Sequence, residues 1–196
     1  VMGLLADNGK ITAEDILFDG KKIHESAFKN HAEYEKTMRH IRGNDMAMIF
    51  QDPMTFLNPV LKIGTQLIEP LQNHTKMSKK ECEQKAIELM RQVGIPSPEK
   101  RMNQYPYEFS GGMRQRIIIA MALACNPKLI IADEPTTALD VTIQAQVLEL
   151  IQDMKEKLGS SVIMITHDLG VVASLCNRIA IMYGGKIVEI GTDKEI

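Results

Sequence analysis

An α/β architecture, a parallel sheet carrying a helical insert, is predicted by two patterns in the chain. Short continuous apolar runs at 46–50, 129–132 and 162–166 alternate with helix-compatible stretches, as expected of parallel strands covered on both faces. Between the first and second runs the character changes, because residues 59–108 hold an amphipathic helix instead of further strands. The expected organisation is one domain over 1–196, with a core of 1–58 and 109–196 interrupted by a helical subdomain at 59–108.

Taken in order, residues Val1 to Leu5 are apolar, lack an N-cap and read as the tail of a helix. Residues 16–23 read as a hairpin, since Asp19-Gly20 supplies the positive φ values of a tight turn. Residues 33–42 suit a helix, and 46–50 form a short buried strand that runs into Gln51-Asp52-Pro53. The helix at 79–93 places Cys82, Ala86, Leu89, Met90 and Val93 on one face, and Gly94 with Pro96 and Pro98 ends it. Ser110 opens the next helix, followed by the strand 129–132 and a helix at 141–158. A strand at 162–166, a short helix near 171–176 and strands at 179–182 and 186–190 complete the chain.

Composition bounds the function. The chain has 196 residues and a mass of 22.0 kDa, enough for one domain with a small insert. Lys+Arg is 23 against Asp+Glu 25, giving net charge -2, so no electrostatic footprint for nucleic acid or an anionic membrane is visible. The core must be aliphatic, because aromatics are 5% with no Trp, and 13 Met are available to fill gaps. Cys82, Cys125 and Cys176 form no CxxC or Cys/His spacing, which excludes a zinc site or disulfide framework and suits a reducing compartment. The apolar run 117–125 is less than half the ~20 residues that a bilayer crossing needs.

Four local patterns carry chemistry. Leu129 to Ala132 ends in Asp133-Glu134, and in an open parallel sheet ligands lie beyond the carboxyl ends of the strands. An Asp there can hold Mg²⁺ and the adjacent Glu can orient or deprotonate a water; a plain acidic strand end is the alternative. In Ser110-Gly111-Gly112-Met113-Arg114-Gln115, the serine can cap a helix while two glycines let a phosphate approach the backbone N–H groups. Mere capping explains the glycine pair poorly, since each costs about 1 kcal/mol relative to Ala in a helix. His167 follows a strand and can reach a γ-phosphate or lytic water, or simply close a loop. Gln51 ends another buried strand, where its amide can ligate Mg²⁺ and orient water.

In this order the four patterns resemble the ATP-binding cassette (ABC) ATPases, over essentially the whole chain. In that family's terms Gln51 matches the Q-loop, Ser110 to Gln115 the signature motif, Asp133-Glu134 the Walker B acid with the catalytic glutamate, Ala138-Leu139-Asp140 the D-loop, and His167 the switch histidine. Phe50 to Thr55 with Leu57-Asn58-Pro59, and His167 to Ala173, look like the ATPase subunits of oligopeptide or dipeptide importers, although Phe56 stands where those relatives commonly have Ser.

The resemblance implies a P-loop NTPase-like fold and an ATPase using ATP and Mg²⁺. Glu134 and His167 are then catalytic, Gln51 and Asp133 hold the metal, and Gln51, Ser110, Gly111, Gly112, Gln115 and Asp140 meet nucleotide. It implies a head-to-tail homo- or heterodimer with a second ABC ATPase subunit. It also implies transmembrane permease subunits, an indirect link to a solute-binding protein, no nucleic acid, and a peripheral place on the cytoplasmic face of the membrane. No GxxxxGK[ST] phosphate loop occurs in the sequence, so a cassette clipped at its N-terminus is expected, inactive by itself. A soluble ABC ATPase acting on nucleic acid or ribosomes, or a non-catalytic fragment, are the competing expectations.

Overall fold

The computed structural model describes residues 1–4, 9, 11, 15–51, 56–136 and 141–196. Asp52 to Thr55, and the expected D-loop with Asp140, lie outside the described residues.

Three parallel strands form the centre, β3 (Met46–Ile49), β4 (Leu129–Asp133) and β5 (Ser161–Ile165), in the order β3-β4-β5. Before them stands a hairpin of β1 (Leu17–Phe18) and β2 (Lys21–Lys22), turning through Asp19 at φ 50° and Gly20 at φ 73° as its sequence requires. The register sets Ala47 beside Ile130 and Val162, then Met48 beside Ile131 and Ile163. Since side chains alternate along a strand, Ala47, Ile49, Ile130, Ala132, Val162 and Met164 share one face and Met48, Ile131, Ile163 and Ile165 the other.

The first face is fully used. It packs on α5 (Gly111–Leu123) and α6 (Val141–Leu158) in a cluster that also takes in the helical insert, with Ile117, Ile118, Ala120 and Val147 buried. The second face is covered near β3 by α1 (His31–Ile41) and the hairpin through Ile23, Tyr34, Met38, Ile41 and Met46. Towards β5 it thins out, leaving Ile163 44% and Ile165 48% exposed. The expectation of a sheet covered on both faces therefore holds for β3 and β4 and not for β5.

The insert consists of α2 (Ile63–His74), α3 (Lys79–Gln92) and α4 (Pro98–Arg101). Ser78 and Glu81 form a capping box at the start of α3. Helix α2 begins at Lys62, which provides no side-chain cap; its first N–H groups are satisfied instead by the carbonyls of Gln104 and Met102, at 2.9 Å each. That closes the insert on itself, with Gly64 against the Met102 carbonyl, where a Cβ would lie 2.7 Å away.

After β5 come α7 (Leu169–Leu175), β6 (Arg178–Tyr183) and β7 (Lys186–Thr192). β6 and β7 pair antiparallel around Gly184-Gly185, both at positive φ, and make a separate ribbon, not further members of the parallel sheet. Val1–Leu4, expected as a helix tail, is not helical: Gly3 sits at φ 64°, and Arg42 holds the carbonyls of Met2 and Gly3. Among the described residues no helix is long and apolar enough to cross a membrane.

Candidate functional site

Parallel strands deliver their carboxyl ends to one edge of the sheet, and four of the expected site residues lie there. Gln51 follows β3, Asp133 and Glu134 close β4, and His167 follows β5. Gln51 Nε2 donates to Glu134 Oε2 at 2.7 Å, and His167 Nδ1 lies 3.2 Å from Glu134 Oε1. One carboxylate is thus bracketed by an amide and an imidazole supplied from the two flanking strands.

Glu134 is held there by its backbone as well. Its N–H donates to the Ile165 carbonyl at 2.9 Å, and it sits at φ 43°, a left-handed conformation unusual for a residue with a Cβ. The carboxylate is mostly covered, at 25% side-chain exposure, whereas His167 is open at 77%. Proton-accepting oxygens therefore sit beneath a solvent-facing ring.

Asp133 has no side-chain hydrogen bond or ion pair with any described residue, and it is half-buried. Because Gln51 spends its nitrogen on Glu134, its carbonyl oxygen is left for a cation. A carboxylate and an amide oxygen with no described partner are oxygen donor types of the kind Mg²⁺ uses when phosphates and water complete its shell. No group of three His, Cys, Asp or Glu residues suited to a metal occurs among the described residues.

The glycine segment lies at the N-terminus of α5. Exposed Ser110 is the N-cap, accepting from the Met113 N–H at 3.3 Å. A Cβ on Gly111 would meet nothing within 4 Å, but one on Gly112 would come within 2.7 Å of Ile143 Cγ2 on α6. The two glycines therefore differ: the first keeps backbone open to solvent, and the second lets two helices approach.

Gln115 was expected at a nucleotide. Its side chain is 1% exposed, and its nitrogen donates to the Pro135 carbonyl at 2.7 Å, tying α5 to the loop that carries Glu134. Asp168 escaped the sequence reading. It caps α7 by accepting from Gly170 N at 2.8 Å and receives Gln144 at 3.3 Å, which fixes the segment behind His167; an Asp one residue before a short helix was the available signal.

A family model described as ABC transporter matches residues 1–137. The chain belongs to the ABC transporter family. Among curated members of the ABC family it is 59% identical over 182 residues to the oligopeptide transport ATP-binding protein OppD of Bacillus subtilis, covering 93% of this chain and 49% of that one. It is 55% identical over 197 residues to the dipeptide transport ATP-binding protein DppD of the same organism, covering 100% of this chain and 57% of that one. The chain thus spans about half the length of these relatives.

Solved ABC structures agree on the fold. The dimeric ATP-binding cassette MJ0796 in a post-hydrolysis state bound to ADP and Pi superposes with TM-score 0.73 at 28% identity, over 89% of this chain and 71% of that one. CbiO1 of Clostridium perfringens, part of the transporter complex cbiONQ, gives TM-score 0.78 at 27% identity, over 99% and 70%. The P-loop NTPase-like assignment made from the motifs holds.

Proposed function

We propose that this chain is part of the ATP-hydrolysing subunit of a peptide importer, coupling ATP turnover to transport through a membrane permease. The observation that carries this is the Glu134 carboxylate bracketed by Gln51 and His167 at the carboxyl ends of three parallel strands. The names of the relatives, oligopeptide and dipeptide transport proteins, support peptides as the cargo class.

Glu134 accepts a proton from the attacking water, and His167 orients that water and meets the departing phosphate. Asp133 and the Gln51 carbonyl would hold Mg²⁺, which would supply charge neutralisation to the phosphates. Ser110, Gly111 and Gly112 present N–H groups and a helix N-terminus to the phosphates of a nucleotide carried by a second cassette, in a head-to-tail pair; the dimeric cassette among the structural neighbours supports such pairing. Gln115 acts behind this site by positioning the Glu134 loop against α5. Asp140 would meet the opposite subunit.

The permease docks on the insert side of Gln51, where Phe56, Val60 and Leu61 are exposed. The complex thereby places the subunit on the cytoplasmic face of the membrane and serves an external solute-binding protein. Since no GxxxxGK[ST] loop lies within these 196 residues, the chain by itself binds Mg-ATP weakly and hydrolyses it negligibly; tight calorimetric binding by the purified chain contradicts this.

The deciding experiment is Glu134→Gln in the complete protein. ATPase turnover falls by about a hundredfold or more, and an ATP-bound dimer accumulates on size exclusion. Unchanged turnover removes Glu134 from the role and the proposal with it.

A further inference from the structure

Away from the nucleotide residues, α1 and the last turn of α2 enclose a cleft of about 790 Å³ lined by Glu35, Lys36, Arg39, His40, Arg42 and His74. Among the described residues its only lining carboxylate, Glu35, is already committed: it accepts from Arg42 Nη1 at 3.0 Å and Nη2 at 3.3 Å. Arg42 is further pinned by donating Nε to the Met2 carbonyl at 2.9 Å. Lys36, Arg39 and His40 make no hydrogen bond or ion pair with any described residue. Some cations elsewhere are paired, as in Lys22 with Asp15, Arg91 with Glu99 and Lys157 with Asp153.

A simpler account is that cations favour helix C-termini, and Arg39, His40 and His74 do stand in last turns. Each helix end offers about half a negative charge. Two ends cancel about one of the two unpaired charges of Lys36 and Arg39, before either imidazole is protonated. A positive surplus remains, inside a concave space, on a chain whose net charge is -2. The pKa of His74 is lowered, first by burial and then by the neighbouring His40, against an opposing pull from Asp45.

We propose that this cleft between α1 and α2 binds a phosphate-bearing anion, held by Lys36 and Arg39 and reinforced by His40 and His74. Protonating either imidazole adds charge to the cleft, while Glu35 stays occupied by Arg42 and Asp45 is the remaining acid near His74. Binding therefore tightens as the pH falls. Concavity favours a discrete phosphate group, either a free ion or a lipid headgroup, over a flat charged surface.

The test is calorimetric titration of the purified chain with inorganic pyrophosphate at about pH 7.5 and about pH 6, across the imidazole range. Saturable binding is expected, tighter at the lower pH, and weakened about tenfold or more in Lys36→Ala/Arg39→Ala, a change of about 1.4 kcal/mol. Both residues are exposed, and circular dichroism verifies that the variant folds. Lys80→Ala/Lys100→Ala, which removes two exposed lysines elsewhere, leaves the affinity unchanged. Cosedimentation with phosphatidylglycerol vesicles but not phosphatidylcholine vesicles, competed by pyrophosphate, identifies a headgroup; pyrophosphate binding without cosedimentation identifies a soluble phosphate. Absence of saturable binding at either pH, or equal weakening by the two double variants, overturns the proposal.

Discussion

The Gln51 amide and the Glu134 carboxylate meet at 2.7 Å although 83 residues separate them in sequence. The contact depends on β3 and β4 lying side by side in parallel, so that Ile49 pairs with Ala132 and both strands end together.

Replacing Gln51 by Ala removes one of the groups that hold Glu134. In the complete protein, ATPase turnover is expected to fall about tenfold, the value of one hydrogen bond to a charged group. Gln51→Glu places a like charge against Glu134 and lowers turnover further. Thermal unfolding moves little in either case, because Gln51 is exposed. Steady-state phosphate release and a melting curve on the same preparations check both halves.

Gly111 and Gly112 separate a binding role from a packing role. Gly112→Ala drives a methyl into Ile143 and should destabilise the fold by about 1–3 kcal/mol, seen as a lower melting temperature and partly restored by Ile143→Ala. Gly111→Ala enters open space and leaves stability equal or slightly higher, since Ala is the better helix residue. In the complete protein it nevertheless weakens the nucleotide-driven dimer, because the new Cβ crowds the backbone that a phosphate would approach.

Much of this was legible because local chemistry and global fold agree. Ser110 caps the helix it was expected to cap, and Asp19-Gly20 turns the hairpin it marks. Helix α2 was not individually visible: Pro70 lies inside it, Lys62 is no cap, and its free N–H groups find carbonyls about forty residues away. The sense of β6 and β7 was written in Gly184-Gly185, a hairpin signal that the neighbouring apolar runs obscured. The setting of Gln115 was hidden for a different reason: residue type does not reveal whether an amide faces solvent or a buried carbonyl. Nor does sequence state that Gln51 and His167 share one carboxylate, which is a property of strand order.

The capping box at the start of α3 gives a pH signature. Ser78, through its side chain and its N–H, holds the Glu81 carboxyl below its ordinary range. A depressed carboxylate pKa contributes stability that is present at neutral pH and lost as pH falls through the folded value. In a carboxyl-detected NMR titration Glu81 should therefore titrate below ordinary glutamate values. Ser78→Ala should return it towards them and soften the acid limb of the unfolding curve.

Glu134 occupies a conformation that a glycine would accept without steric strain. Stability and chemistry consequently pull this position in opposite directions: Glu134→Gly should raise the melting temperature, by relief of about 1 kcal/mol, while abolishing turnover in the complete protein. Random selection for heat tolerance alone would then drift towards glycine here, and a carboxylate kept at such a site marks a residue retained for its reactivity.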